Sequence, residues 1–172
     1  MQIYRCSERG PVHAGFFLFS RLHPYEDFEA FLTEGVRLLR IHQSLANVGT
    51  IQRLGLRFIN RLEIQPNGHL EDYLTVPPRE VSGLSLPFAG FYHNDIFVVP
   101  GTPYGGNLVR TMQVFPEASS QRPAIILDIN FYSLEPISFS MEVIVHRLRE
   151  MRWLKNKVFF SNLTTTVLER FK

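Results

Sequence analysis

Cysteine is almost missing: Cys6 is the only one, so no intrachain disulfide and no thiolate zinc site can form. That scarcity fits a reducing, cytoplasmic compartment. Long apolar runs are missing too. No window approaches the ~18 uninterrupted apolar residues of a membrane-crossing helix, and the opening MQIYRCSERGPVHAG has no apolar core of a signal peptide. Charge of one sign is scarce, with 18 Lys and Arg against 16 Asp and Glu. A net +2 argues against a dedicated non-specific DNA binder, which needs dense basic clustering to displace counterions.

Catalytic and cofactor signatures are missing as well. The chain has no GxxxxGK[ST], no GxGxxG after a strand and no GxSxG elbow. Its histidines, His13, His23, His42, His69, His93 and His146, show no pair at metal-ligand spacing on one helix face. Cys6 has no His or acidic residue adjacent to it in sequence, and reads as an inert thiol. His69 beside Glu71 and Asp72 resembles an acid–base cluster in composition only, because it follows an Asn-Gly turn where polar side chains are simply solvated. The expectation is therefore no catalytic residue, no metal and no cofactor.

What the chain does have is aromatic mass: 15 Phe among 172 residues, within 45% apolar and 20% charged residues. That composition belongs to one globular domain, here 1–172, with 1–14 as an irregular lead-in. Phe16–Phe19 is an apolar run of strand length. Pro24 sits where a helix can start, and apolar residues from Tyr25 recur at three- and four-residue steps to Leu45, with Asn47 and Gly49 as the stop. A long strand, Thr50 to Ile64, ends in the turn Pro66-Asn67-Gly68. Further strands are expected at Gly90–Val99, Leu108–Phe115 and Ala124–Ser133, the first two joined by a glycine- and proline-rich turn. In that turn Gly105-Gly106 is expected to supply positive φ.

The last third reads as helical. Ser138 or Ser140 caps a helix whose inner face carries Met141, Ile144, Val145, Leu148, Met151 and Leu154. Arg147, Arg149, Arg152 and Lys155 are assigned to its solvated face. Thr166 to Glu169 has the spacing of a capping box opening a last short helix. Short connections between successive strands favour antiparallel pairing. The expected class is α+β: an antiparallel sheet of about five strands packed against a long helix in the N-terminal half and a C-terminal helical segment.

Two strands carry the polar residues that stand out. A two-residue period puts Leu54, Leu56, Phe58, Asn60, Leu62 and Ile64 on one side, and Arg53, Gly55, Arg57, Ile59 and Arg61 on the other. The three arginines form a ladder suited to carboxylates or phosphates. Its alternative role is structural, paired with acids of the sheet such as Asp128. In Ala124–Tyr132, Ile125, Leu127, Ile129 and Phe131 share one face, while Ile126, Asp128, Asn130 and Tyr132 share the other. A carboxylate within so apolar a strand needs a partner. Asn60, on an apolar face, reads as an amide bonded to loop backbone.

The run from Arg53 to Arg61, RLGLRFINR, resembles the R-(I/L)-G-L-R-(Y/F)-I-N strand of a sporadically distributed prokaryotic family of unknown function. Phe19-Ser20-Arg21-Leu22 with Pro24-Tyr25 and Phe28, the Ile126–Asn130 strand (its L-L-D-I-D), and Leu148–Phe160 with Leu163-Thr164 are similar to further parts of that family in the same order. The resemblance covers about residues 16 to 171. Members have a longer N-terminus, so it implies a shortened member here. Their frequent His in the last helix has no counterpart in Met151-Arg152-Trp153. No established activity comes with the family.

Three functions are left, in order of preference. The first is a non-enzymatic interaction module that binds a protein partner, or another copy of itself, through the sheet and its flanking helices. The second is an RNA- or phosphate-binding protein using Arg53, Arg57 and Arg61. The third is an enzyme assembled around Asp128 with distant residues such as Asn60, Arg57 and one histidine.

Overall fold

The computed structural model describes residues 2–4, 15–22, 26–65, 68–78, 83, 86, 89–101, 105–115, 123–133 and 135–169. Strands β1 (Gln2–Tyr4) and β2 (Phe16–Leu18) precede helix α1 (Phe28–Ala46). Then come β3 (Thr50–Ile51), β4 (Arg53–Glu63), a 3-10 turn at Leu70–Asp72, β5 (Phe91–Val99), β6 (Gly106–Phe115), β7 (Ala124–Ser133) and β8 (Ile137–Ser138). Helices α2 (Met141–Asn162) and α3 (Thr165–Leu168) close the chain. The class is α+β, as the residue pattern indicates. Among the described residues six strands make one sheet in the order β2-β1-β4-β7-β6-β5, and β3 with β8 makes a second, two-stranded one. No helix among the described residues is long and apolar enough to cross a membrane.

Residues divide into two compact units: Met1–Arg57 with Val98–Leu108 and Phe131–Trp153, and Phe58–Phe97 with Val109–Asn130 and Leu154–Lys172. In the first, α1 begins at Phe28 with Asp27 as its cap, whose carboxylate accepts a 2.8 Å hydrogen bond from Ala30 N. Tyr25 and Pro24, the expected start, lie outside the described residues. The helix stops where expected, at Asn47, whose φ of 46° is the left-handed conformation that Asn tolerates. Its inner face buries Phe28, Phe31, Leu32 and Leu39. Phe19 stacks on Phe31 at 4.9 Å between ring centres, and Phe17 meets His42 at 5.6 Å. Strand β1 pairs antiparallel with both β2 and β4 and lies within the expected lead-in. The register Ile3↔Phe17 and Ile3↔Leu54 places Phe17 and buried Leu54 on one side. Phe16 and Leu18, on the other, stay exposed.

The strand expected from Thr50 to Ile64 is broken at Gln52. Thr50 and Ile51 leave it to pair with Ser138 and Ile137, and fully buried Ile51 is what this second sheet gains. Ser138 is thereby a strand residue, and Ser140 is the one that caps α2, its carbonyl accepting from Ile144 N at 2.9 Å. Along α2, Ile144, Leu148 and Met151 are buried as the spacing requires. Arg147 is a correction: it is only 6% exposed, not solvated. It lies three residues after Ile144 and four before Met151, which puts it inside the apolar stripe, where Glu150 receives its guanidinium at 2.7 Å. Arg152 is half-buried over the Phe28 ring at 4.7 Å, and Glu29 on α1 pairs with Arg149 at 2.9 Å.

In the second unit β4 and β7 run antiparallel, since Ile64 N bonds Pro123 O while Asn60, four residues back, bonds Leu127 O, four residues on. Lys155 of α2 is half-buried with its ammonium 4.0 Å from the Phe58 ring centre, again not in bulk solvent. The 3-10 turn is tied to the end of α2: Thr164 Oγ1 donates to Asp72 O at 2.5 Å, and Thr164 N donates to Tyr73 O at 3.0 Å. Thr164 caps α3, accepting from Val167 N. The expected capping box was two residues late, because Thr164 already serves both neighbours and Glu169 falls at the helix end.

Gly106 is needed for a different reason than positive φ. A Cβ there would run into the Tyr132 carbonyl, so the glycine lets β6 approach β7 closely. Among the described residues of that connection the positive φ belongs to Gly101, at 134°.

Candidate interaction surface and a polar cluster on strand β5

Alternation on β4 separates the expected site residues cleanly. Leu54, Leu56 and Leu62 are buried and Phe58 is half-buried, while Arg57, Ile59 and Arg61 are exposed. Arg53 is half-buried with its guanidinium 3.9 Å above the Tyr132 ring. Arg61 pairs with Glu63 at 2.6 Å, two residues along the same face. Arg57 also has an interaction partner. The ladder is thus built from arginines with intramolecular engagements.

Asn60 is held as a structural amide: its Nδ2 donates to Leu127 O at 3.0 Å. The acceptor is the neighbouring strand and not a loop. On β7, Ile125, Leu127 and Ile129 are fully buried, whereas Ile126, Asp128 and Asn130 are half-buried on the reverse side. The pairing that joins Asn60 to Leu127 therefore leaves Asp128 on the opposite face from Asn60. An acid–amide site combining these two does not assemble. His69 with Glu71 and Asp72 is a turn cap, in which Asp72 accepts from the His69 backbone N at 3.0 Å.

The densest polar cluster lies elsewhere, on β5. Asp95 Oδ2 accepts from Arg110 Nε at 2.8 Å and also from Arg110 Nη2, while Asp95 Oδ1 meets His93 Nε2 at 2.8 Å. Arg110 Nη1 reaches the amide oxygen of Asn162, whose Nδ2 donates to Val158 O at 2.7 Å. Partial burial pushes the Asp95 carboxyl up. The hydrogen bonds and charges of Arg110 and His93 outweigh that and hold it below the usual carboxylate range. Every donor nitrogen of the Arg110 fork has a protein acceptor, so the cluster works as a clasp joining β5, β6 and the end of α2. Its sequence signal was His93-Asn94-Asp95, an acid and an imidazole two residues apart on one strand face. Arg110 and Asn162 could not be added without the sheet order.

That clasp also orients β5. Asp95 faces the side on which Asn162 lies, so Tyr92, Asn94 and Ile96 face the other. Apart from Asn94 this outward row is apolar, and it is open: Tyr92 is 67%, Ile96 68% and Val98 78% exposed. Ile59, opposite Asp128 on the same antiparallel pair, is exposed too. Among the described residues β5 is also the last strand of its sheet. Terminal strands normally carry charges or prolines that discourage pairing. Among residues 91–99 the titratable side chains besides Tyr92 are His93 and Asp95, bonded to each other, and Asp95 is also bonded to Arg110. Among the described residues no group of three His, Cys, Asp or Glu could hold a metal ion.

The chain matches no family model, no curated protein and no solved structure.

Proposed function

We propose that this chain is a protein-interaction module whose contact element is strand β5. The observation that carries the reading is the row Tyr92, Ile96 and Val98, more than two-thirds exposed on the terminal strand of the sheet. Isolated exposed apolar residues are ordinary, but a periodic row on a sheet edge offers both side-chain and main-chain complementarity to another strand. The clasp of Asp95, Arg110 and Asn162 supports it by fixing the strand in place before any partner arrives. The engagement of Arg53 with Tyr132 and of Arg61 with Glu63 makes a phosphate-reading ladder the weaker use of the same sheet.

Affinity capture with the wild-type chain and with Ile96→Asp as baits tests the reading, a differently tagged copy of the chain being included among the possible prey. Proteins held by the wild type and lost by the variant are expected, with the two baits equally folded by circular dichroism. Identical sets would overturn it.

A further inference from the structure

The order of residues along β5 points to the occupant. Reading outward from Asn94, past His93 and Asp95, which are bonded to each other within the chain, the side chains at mirrored positions match: Tyr92 with Ile96, then Phe91 with Phe97. An antiparallel pair of identical strands related by a twofold axis through Asn94 would set those positions directly across from each other. Phe91 would face the partner's Phe97 and Tyr92 the partner's Ile96, while His93 and Asp95 keep their contact to each other, and Asp95 its contact to Arg110, within the chain. Aromatic–aromatic and aromatic–β-branched pairs are among those that stabilise facing strands.

Neighbouring registers lack this match. An axis through Asp95 opposes two carboxylates, and an axis through Ile96 sets Asp95 against Phe97 and Asn94 against Val98. The outward row is exposed and the strand is terminal among the described residues, so the side chains and the strand edge are presented together. We infer that β5 pairs antiparallel with β5 of a second copy of this chain, centred on Asn94. The inference rests on β5 being the contact element and adds the identity of the partner and the register.

Cysteine cross-linking in a Cys6→Ser background reads the register directly. Asn94→Cys places two thiols across from each other within the ~4.4–6.8 Å Cα spacing of a disulfide. Ile96→Cys leaves them four residues apart along the pair, about 13 Å. Mild oxidation is expected to give a covalent dimer with Asn94→Cys and none with Ile96→Cys. Light scattering of the wild type over a concentration series should show conversion to twice the chain mass, abolished by Ile96→Lys at unchanged circular dichroism. Comparable cross-linking by Ile96→Cys overturns the register. A wild type that stays monomeric, with no covalent dimer from Asn94→Cys, overturns self-pairing. In that case the capture of other proteins by the wild type alone decides whether β5 is a contact element.

Discussion

Strands β7 and β5 have similar apolar content and opposite fates. β7, between β4 and β6, buries Ile125, Leu127 and Ile129 completely. β5, at the end of the sheet, leaves Tyr92, Ile96 and Val98 in solvent. The difference is position in the sheet, not residue type. A strand flanked on both edges and covered on one face puts its apolar residues to work in folding. One at the end of the sheet, among the described residues, leaves them exposed. Polar residues divide in the same way: on β7 the buried face is free of charge, while on β5 the inward charge, Asp95, is neutralised by a clasp.

That contrast can be broken most forcefully at its buried end. Leu127→Ala should cost about 2–5 kcal/mol of unfolding free energy in urea titration, by transfer plus cavity loss. A cost near that of a surface change would show β7 to be less central than it is drawn. Gly106→Ala should come next, at about 1–3 kcal/mol, because the new methyl must displace the Tyr132 backbone and not a flexible side-chain tip. Asp95→Asn should lose about 1–2 kcal/mol, weakening a charge-assisted hydrogen-bond set without leaving its positions empty. The pH dependence of that pair has a definite sign. The folded Asp95 carboxyl titrates below its unfolded value, so its contribution is present above the ordinary carboxylate range and disappears as pH falls through the folded pKa. Wild type minus Asp95→Asn stability should therefore shrink on acidification. A difference that grows would contradict the clasp. Smallest of all, Ile96→Ala should move monomer stability by no more than about 0.5 kcal/mol, measured at protein concentrations low enough to exclude association.

How far the sequence reaches follows from the range over which each feature is encoded. The alternation of β4 and β7 was legible because a two-residue period is local, and it assigned every buried leucine and isoleucine of those strands. The stop of α1 at Asn47 was legible for the same reason. Gln52 was not readable as a break, since what draws Thr50 and Ile51 away is a strand almost ninety residues later. Arg147 was misassigned by treating charge as exposure, when its spacing from Ile144 and Met151 already placed it inward. Gly106 looked like turn chemistry, but its reason is the backbone of another strand. The arginine ladder was seen as a row, and its engagements with Tyr132 and Glu63 depend on neighbours that only the folded sheet supplies. β5 was recognised as a strand. Its exposure was invisible, because nothing local distinguishes a terminal apolar strand from a central one.

Hydrogen–deuterium exchange across Phe91–Phe97 as a function of protein concentration addresses the role of β5 most directly. On a terminal strand, alternate amides face the open edge and should exchange fast when the chain is dilute. Slowing of this segment as concentration rises, with β7 amides slow throughout, is the predicted result. Equally fast exchange at every concentration, with or without the proteins captured by the wild-type chain, would contradict a contact role for β5.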